Sequence, residues 1–400
     1  MQKTKRLVPQ LRFPVFQDEW ENSEFRNIAK RRKDRFNPKD SNENQPCIEL
    51  ECLSQETGFL LGTLNSKDQK SIKNVFVKND ILFGKLRPYL KKFYKADFDG
   101  VCSSEIWVLN GVKLENEFLY YLIQTDKFNY EVNQTSGSKM PRADWNYISE
   151  IKFSFPSIRE QQKIAEFLTA IETRIQSLTK KKSLLEEYKR GVLQQILRQE
   201  IRFKHDNGVA FPKWEKRKFS DVLFEHKLKS TGNEEVHSVS VHKGVINQIE
   251  HLGRSFSAKN TDHYSRALPN DIIYTKSPTG DFPLGIIKQN HIKEDVIISP
   301  LYGVFTPETK ELGYILHVYF ESPINTSNYL SSIIQKGAKN TINITNTTFL
   351  SKKMLLPVSK EEQAKIANFL SAIDKKIELV DKQIEKTKTY KKGLLQQMFV

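Results

Sequence analysis

Two parts of this 400-residue chain carry short basic segments, the first interleaved with aromatic rings, a pattern suited to contact with a phosphate-rich polymer. In the first, Lys85, Arg87, Lys91 and Lys92 alternate with Tyr89, Phe93 and Tyr94. A glycine loop follows, Ser136-Gly137-Ser138-Lys139, and runs on through Met140-Pro141-Arg142. Lysines of this kind can neutralise phosphates, whereas an arginine can also grip the O6 and N7 acceptors of a guanine with two parallel bonds. Ser138, Lys139 and Arg142 are therefore candidate contacts, with Arg142 the candidate base reader. Later in the chain the pattern returns in altered form, as Lys276-Ser277-Pro278-Thr279 and as Lys336-Gly337-Ala338-Lys339-Asn340-Thr341. Here Lys276, Ser277, Thr279, Lys336, Lys339, Asn340 and Thr341 are the candidates, and Asn340 has the amide needed to pair with an adenine edge. The densest charge run, Lys30-Arg31-Arg32-Lys33, reads equally as a solvated helix end or as a phosphate contact.

The bulk composition points the same way. A formal net charge of +15 creates a field that attracts polyanions, which puts nucleic acid ahead of an acidic protein or an anionic membrane surface. A hydrophobic content of 38% supports folded cores, and four hundred residues suggest more than one of them. There is no apolar run long enough to span a bilayer, and the basic N-terminus lacks the apolar centre of a signal peptide. Cys47, Cys52 and Cys102 form an odd, sparse set, as expected of reduced thiols in a cytoplasm.

Motifs for catalysis are missing. Gly84-Lys85 is followed by Leu86, so no phosphate-binding GxxxxGK[ST] loop forms there. Asn37-Pro38 leads into Lys39, not into the aromatic end of an Asn-Pro-Pro-Tyr methyltransferase motif, and no GxGxxG occurs. Cys47 and Cys52 lack a second Cys/His pair at zinc spacing, and His237 and His242 are five apart, so no metal site is expected. These absences count against a self-contained nuclease or methyltransferase. A scaffold with two protein-binding heads is the other alternative, and the net charge argues against it.

The elements that would position the basic loops are announced by a repeat. Glu160–Leu197 and Glu362–Phe399 match at a constant offset of 202 without a gap, so a unit of half the chain is duplicated. In the first copy Ile164, Leu168, Ile171, Ile175 and Leu178 step by four and three; in the second, Ile366, Leu370, Ile373, Ile377 and Val380 do the same. Such alternation makes a narrow apolar seam, and a helix with one seam needs a partner, most simply the other copy. Lys189 and Lys391 interrupt the seam at equivalent places, where a polar residue can set register. Ser157 and Ser359 are expected N-caps, with Glu160 and Glu362 completing capping boxes. Each helix of roughly 40 residues would run ~60 Å.

Before each helix lies a globular stretch with shared punctuation. Trp20 precedes Phe25 as Trp214 precedes Phe219, and Asn79-Asp80 opens an apolar strand as Asn270-Asp271 does. A lysine is expected on each of these strands (Lys85, Lys276), and short buried helices are expected at Phe118–Leu122 and Tyr314–Phe320. The fold expected is α+β, with residues 1–156 and 201–357 as globular domains and residues 157–200 and 358–400 as the repeated helices.

This layout resembles the DNA specificity subunit of type I restriction-modification systems. The resemblance is carried by Glu160-Gln161-Gln162-Lys163-Ile164-Ala165 and Glu362-Gln363-Ala364-Lys365-Ile366-Ala367, and by the helix ends Gly191-Val192-Leu193-Gln194-Gln195 and Gly393-Leu394-Leu395-Gln396-Gln397. It covers essentially the whole chain. It implies two target recognition domains joined by two long helices packed as an antiparallel coiled coil with pseudo-two-fold internal duplication. It further implies a bipartite, asymmetric site on double-stranded DNA. Two methyltransferase (modification) subunits would dock on the helices, with restriction/translocase subunits joining them. The complex would methylate adenine and cleave unmodified DNA. S-adenosylmethionine, ATP and Mg would belong to those partners, leaving this chain without a cofactor or a catalytic residue. Helices of that length against ~34–36 Å per duplex turn imply an unread gap of roughly 5–8 base pairs.

Overall fold

A computed structural model of the chain describes residues 7–40, 43–134, 140–254, 260–333 and 342–400, with the strands Gln335–Lys336 and Ile342–Asn343 defined by their backbone only. Contacts divide the chain into two compact units, Met1–Lys181 with Val380–Val400, and Lys182–Leu379. The division cuts both long helices in mid-length. Each unit therefore holds a globular domain, the start of the helix that leaves it, and the end of the other helix copy.

In the first unit a four-stranded antiparallel sheet runs in the order Ala29–Arg31, Ile106–Gly111, Ile81–Gly84, Phe93–Lys95. A five-stranded sheet runs Arg35–Phe36, Lys73–Phe76, Gly100–Cys102, Pro46–Ile48, Leu64–Asn65, with one parallel pair, Cys47 beside Val101. Alternate faces of Ile81–Gly84 and Ile106–Gly111 feed two cores, one around Phe83, Trp107 and Phe118 and the other around Leu82, Val108 and Phe76. Strand Glu21–Glu24 pairs with Lys152–Phe155, which leads into the first long helix. The second unit repeats the frame with Leu223–Glu225, Gly303–Pro307, Ile272–Tyr274, Ile287–Gln289 and with Glu215–Lys218 against Lys353–Leu356. Helices Asn116–Leu122 and Lys310–Phe320 lie where buried helices were expected.

The Asn-Asp punctuation has a physical cause. Asn79 and Asn270 both take left-handed backbone angles, φ 71° and 70°, which asparagine tolerates better than most residues. Each following aspartate is buried and turns back to accept the amide of a residue three before it, Val77 for Asp80 and Leu268 for Asp271. Arg32 neutralises Asp80 at 2.9 Å, and His226 faces Asp271 at 2.7 Å. The strands that follow stop at Gly84 and Tyr274, so Lys85 and Lys276 sit just past the strand ends instead of on them.

The long helices span Ile158–Leu197 and Lys360–Met398. Ile164, Leu168, Ile175, Leu178, Ile366, Leu370, Ile373 and Val380 are buried; Ile171 and Ile377 are half-buried. In the first unit Ile164 and Leu168 share a core with Leu394 and Met398, while in the second Val192 and Ile196 share one with Ile366 and Leu370. Low numbers of one copy meet high numbers of the other, so within each unit the helix segments are antiparallel. Full burial of a leucine such as Leu168 contributes ~2 kcal/mol.

The seam lysines pair with acids of the opposite copy. Lys391 reaches Glu172 at 3.1 Å and Gln124 at 2.9 Å, and Tyr120 donates to the same carboxylate at 2.9 Å. Lys189 reaches Asp374 at 2.7 Å and Glu321 at 2.8 Å, and Tyr314 donates to Asp374. The offset of 202 relates Glu172 to Asp374 and Lys189 to Lys391, so one contact is built twice. The capping boxes, by contrast, do not form as expected. Ser359 Oγ accepts the Glu362 amide, but the carboxylates of Glu160 and Glu362 are buried against Arg12 and Arg202. The neighbouring glutamines turn back instead, Gln161 donating to the Pro156 carbonyl and Gln363 to that of Pro357.

Two predictions come from these packed polar groups. Lys391→Ala strands a largely buried Glu172, so it should destabilise the first unit by about 3 kcal/mol, and Lys391→Met with Glu172→Leu should recover most of that loss. Urea unfolding followed by tryptophan fluorescence reports this, since Trp20, Trp107 and Trp145 all lie in that unit. In the second unit burial lowers the pKa of His317. Its Nδ1 accepts the Gln289 amide at 3.1 Å, and a proton there would set two donors face to face. A lowered folded pKa means the unfolded chain binds the proton first, so stability should fall as pH drops below the usual histidine range. His317→Gln should reduce that dependence between pH 7 and pH 5, leaving the part due to the neighbouring His291, whose pKa burial lowers to about 4.

Candidate nucleic-acid interface

The two basic segments of the first domain are brought together. Past strand Ile81–Gly84 the backbone of Lys85 accepts the Ala143 amide at 2.9 Å, and the Arg87 amide donates to Pro141 at 2.8 Å. Leu86 and Arg142 form an isolated antiparallel bridge. The Lys85 amide is itself fixed to Glu105 on the neighbouring segment. Arg142 thus projects from a loop stitched to the chain just past an interior strand of the sheet. Glu105 aims it, accepting from Nε at 3.0 Å, and lies 4.0 Å from Lys85 Nζ. The Arg142 side chain remains 47% exposed, and its outer Nη pair has no partner among the described residues.

Beneath this loop is an open cleft of about 390 Å³ lined by Arg31, Lys85, Trp107, Arg142, Ala143, Asp144, Trp145 and Asn146. Arg31 ends the strand Ala29–Arg31, so the Lys30–Lys33 run is not a helix end. Its neighbours in that run separate by function, because Arg32 is committed to Asp80. The Arg31 guanidinium lies 5.3 Å over the Trp145 ring, and burial lowers its pKa, with Arg35 acting in the same direction. Asp144 is occupied at the start of helix Trp145–Glu150, where it accepts the Asn146 amide. Sequence reasoning missed Trp107 and Trp145, whose spacing along the chain carries no signal.

The other candidates of the first domain point elsewhere. Lys92 Nζ is turned inward to the Leu50 carbonyl at 2.6 Å. Lys91 lies 3.7 Å from Glu56 and lines a separate cavity of about 650 Å³ with Glu172, Ile175 and Lys391. Arg87 and Lys91 take left-handed angles at the two ends of the turn Pro88–Leu90, which leaves Tyr89 exposed. Ser138 and Lys139 lie outside the described residues.

In the second domain Lys276 also takes a left-handed angle, φ 55°, and leads into a tight turn closed by mutual bonds between Thr279 and Phe282. Burial lowers the Lys276 pKa, partly offset by Glu225. Glu225 in turn accepts from Asn346, the first residue of helix Asn346–Leu350, as Glu105 accepts from the segment before helix Trp145–Glu150. Ser277 and Thr279 are exposed on this loop. Lys336 belongs to the strand Gln335–Lys336, paired with Ile342–Asn343; its side chain lies outside the described residues, as do Lys339, Asn340 and Thr341.

Cys47, Cys52 and Cys102 are buried free thiols, and burial pushes Cys47 up to about 12. His237 is buried in a strand with Nδ1 on the Glu235 carbonyl. Among the described residues no group of three or more His, Cys, Asp or Glu side chains is placed to hold a metal, and no helix is long and apolar enough to cross a membrane.

Comparison with known proteins agrees with this architecture. The sequence profile of the type I restriction modification DNA specificity domain matches twice, over residues 17–187 and 213–389. A 95-residue stretch is 34% identical to the type I restriction enzyme EcoDI specificity subunit of Escherichia coli, covering 24% of this chain and 21% of that one. A longer match, 24% identical over 307 residues, covers 72% of this chain and 68% of the putative type I restriction enzyme MjaX specificity subunit of Methanocaldococcus jannaschii. The match thus spans about a fifth of the bacterial relative and two thirds of the archaeal one. The fold is shared with the type I restriction-modification S subunit from M. genitalium, at 14% identity and a TM-score of 0.55, over 98% of this chain and 99% of that one. With both halves matched and the duplicated architecture in place, the chain belongs to the type I restriction modification DNA specificity family.

Proposed function

We propose that this chain is the non-catalytic DNA-recognising subunit of a type I restriction-modification complex, with each globular domain reading one half of a bipartite, asymmetric site. The observation that carries this reading is the pairing of sameness and difference. The helices repeat at a fixed offset, down to the Glu172–Lys391 and Asp374–Lys189 pairs, while the basic loops of the two domains carry different residues. Equal helices suit two copies of one partner, here the modification subunits that would methylate adenine. Unequal heads suit two unrelated half-sites. Restriction subunits would join the same assembly, and S-adenosylmethionine, ATP and Mg would enter with the partners. The net charge of +15 supplies the attraction to DNA.

Two outcomes are expected. Selection from a random duplex library, using the chain with its modification subunits, should yield two short fixed blocks separated by roughly 5–8 unread base pairs. One contiguous block, or no enrichment, would sink the bipartite reading. Arg142→Ala should lower affinity about tenfold, through one half-site only, because a lost arginine–guanine contact is worth ~1–3 kcal/mol. Equal weakening of both half-sites would remove Arg142 from the role of base reader.

A further inference from the structure

The cleft below Arg142 has a different shape from a base reader and a different electrostatic need. A side chain that reads base edges must protrude into a groove, as the half-exposed Arg142 does. Arg31 is half-buried in the cleft whose lining Arg142 also joins, with its guanidinium 5.3 Å over the Trp145 ring. It has no carboxylate partner among the described residues, although its neighbours Arg32 and Arg35 are bonded to Asp80 and Asn74. A partly desolvated, unpaired guanidinium is costly, and the group that relieves it best is an anion. The cleft offers more donors than acceptors. Lys85 lines it, and the buried indole N–H of Trp107, also in the lining, has no hydrogen-bond partner among the described residues. Of the acids nearby, Glu105 is paired with Arg142, and Asp144 Oδ1 accepts the Asn146 amide at its helix start.

We propose that this cleft seats one backbone phosphate of the DNA, held by Arg31 with Lys85, and so fixes the height at which Arg142 enters the groove. The proposal rests on the DNA-binding reading and adds to it a division of labour: Arg31 positions and Arg142 reads. The Trp145 ring, 5.3 Å from the Arg31 guanidinium, limits that side chain's freedom before binding, so less is lost on binding.

The test uses the full chain with its modification subunits and the duplex obtained by library selection. Arg31→Gln should weaken binding to the selected duplex and to a scrambled one by a similar factor. It should reduce the slope of log affinity against log salt by about 0.9, the value for one phosphate. Base preferences in the selected blocks should stay unchanged. Arg31→Lys keeps the charge and should keep the slope, which separates loss of a contact from loss of the fold. A scan with single neutral methylphosphonates should find one position that weakens the wild type and leaves Arg31→Gln unaffected. A changed base preference with an unchanged slope would overturn the proposal and make Arg31 a reader. An unaltered affinity for Arg31→Gln would place the cleft outside the interface. Wild-type complex showing no salt-dependent affinity for any duplex would remove the DNA reading itself.

Discussion

A buried lysine facing a carboxylate of the other helix copy is the contact on which each unit depends. An apolar seam that steps by three and four is permissive, because leucines and isoleucines fit several neighbouring registers nearly as well. Lys391 removes that freedom in the first unit. Shifted by one turn, it would face apolar side chains with its charge unmet, and Glu172 would lose its cation while still bonded to Tyr120 and Tyr121. Lys189 imposes the same constraint in the second unit through Asp374 and Glu321. Such pairs contribute little net stability over an apolar filling, but they make the wrong alignment expensive. Both also tie the helix to the globular domain, through Gln124 on one side and Glu321 on the other.

From that fixed seam the structure carries order outward. The helix starts are held by Arg12 on Glu160 and Arg202 on Glu362, and by glutamines that bond the preceding proline carbonyls. In the first unit the N-terminal segment also binds the end of the second helix, where the Leu11 amide meets the Gln397 carbonyl at 2.9 Å. Strand Lys152–Phe155, which leads into the helix, pairs with strand Glu21–Glu24, and from there the chain runs into strand Ala29–Arg31 of the four-stranded sheet. The basic cleft sits where the strand of Arg31 and the loops after Lys85 and Arg142 converge on that sheet. A recognition surface built from a strand end and from loops bonded to the sheet holds its side chains to a tighter geometry than a free loop would.

Several of these features were legible in the residues. The Asn-Asp turns announced strands because asparagine accepts a positive φ and aspartate can cap the turn. The seam announced the helices because its period matches no other element. Lys85 and Arg142 were found as candidates from charge and neighbouring glycine and proline. Lys91 and Lys92 show the limit of that logic. Composition gave them the same weight as Lys85, but the turn at Pro88–Leu90 sends one toward Glu56 and the other inward to Leu50. The capping boxes failed for a related reason: a local pattern was overruled by Arg12 and Arg202, whose distance in sequence hides them.

The sequence by itself determined the duplication, the two long helices, the basic character of both domains and the pairing of like helices, since periodicity and charge are properties of the order of residues. Only the tertiary structure decided which cations are free to act. Arg31, Arg32 and Arg35 are near neighbours of one type, and nothing in their order distinguishes them. Folding places Asp80 beside one, Asn74 beside another and Trp145 beneath the third, and a guanidinium is available for a ligand only where no protein acceptor has already claimed it.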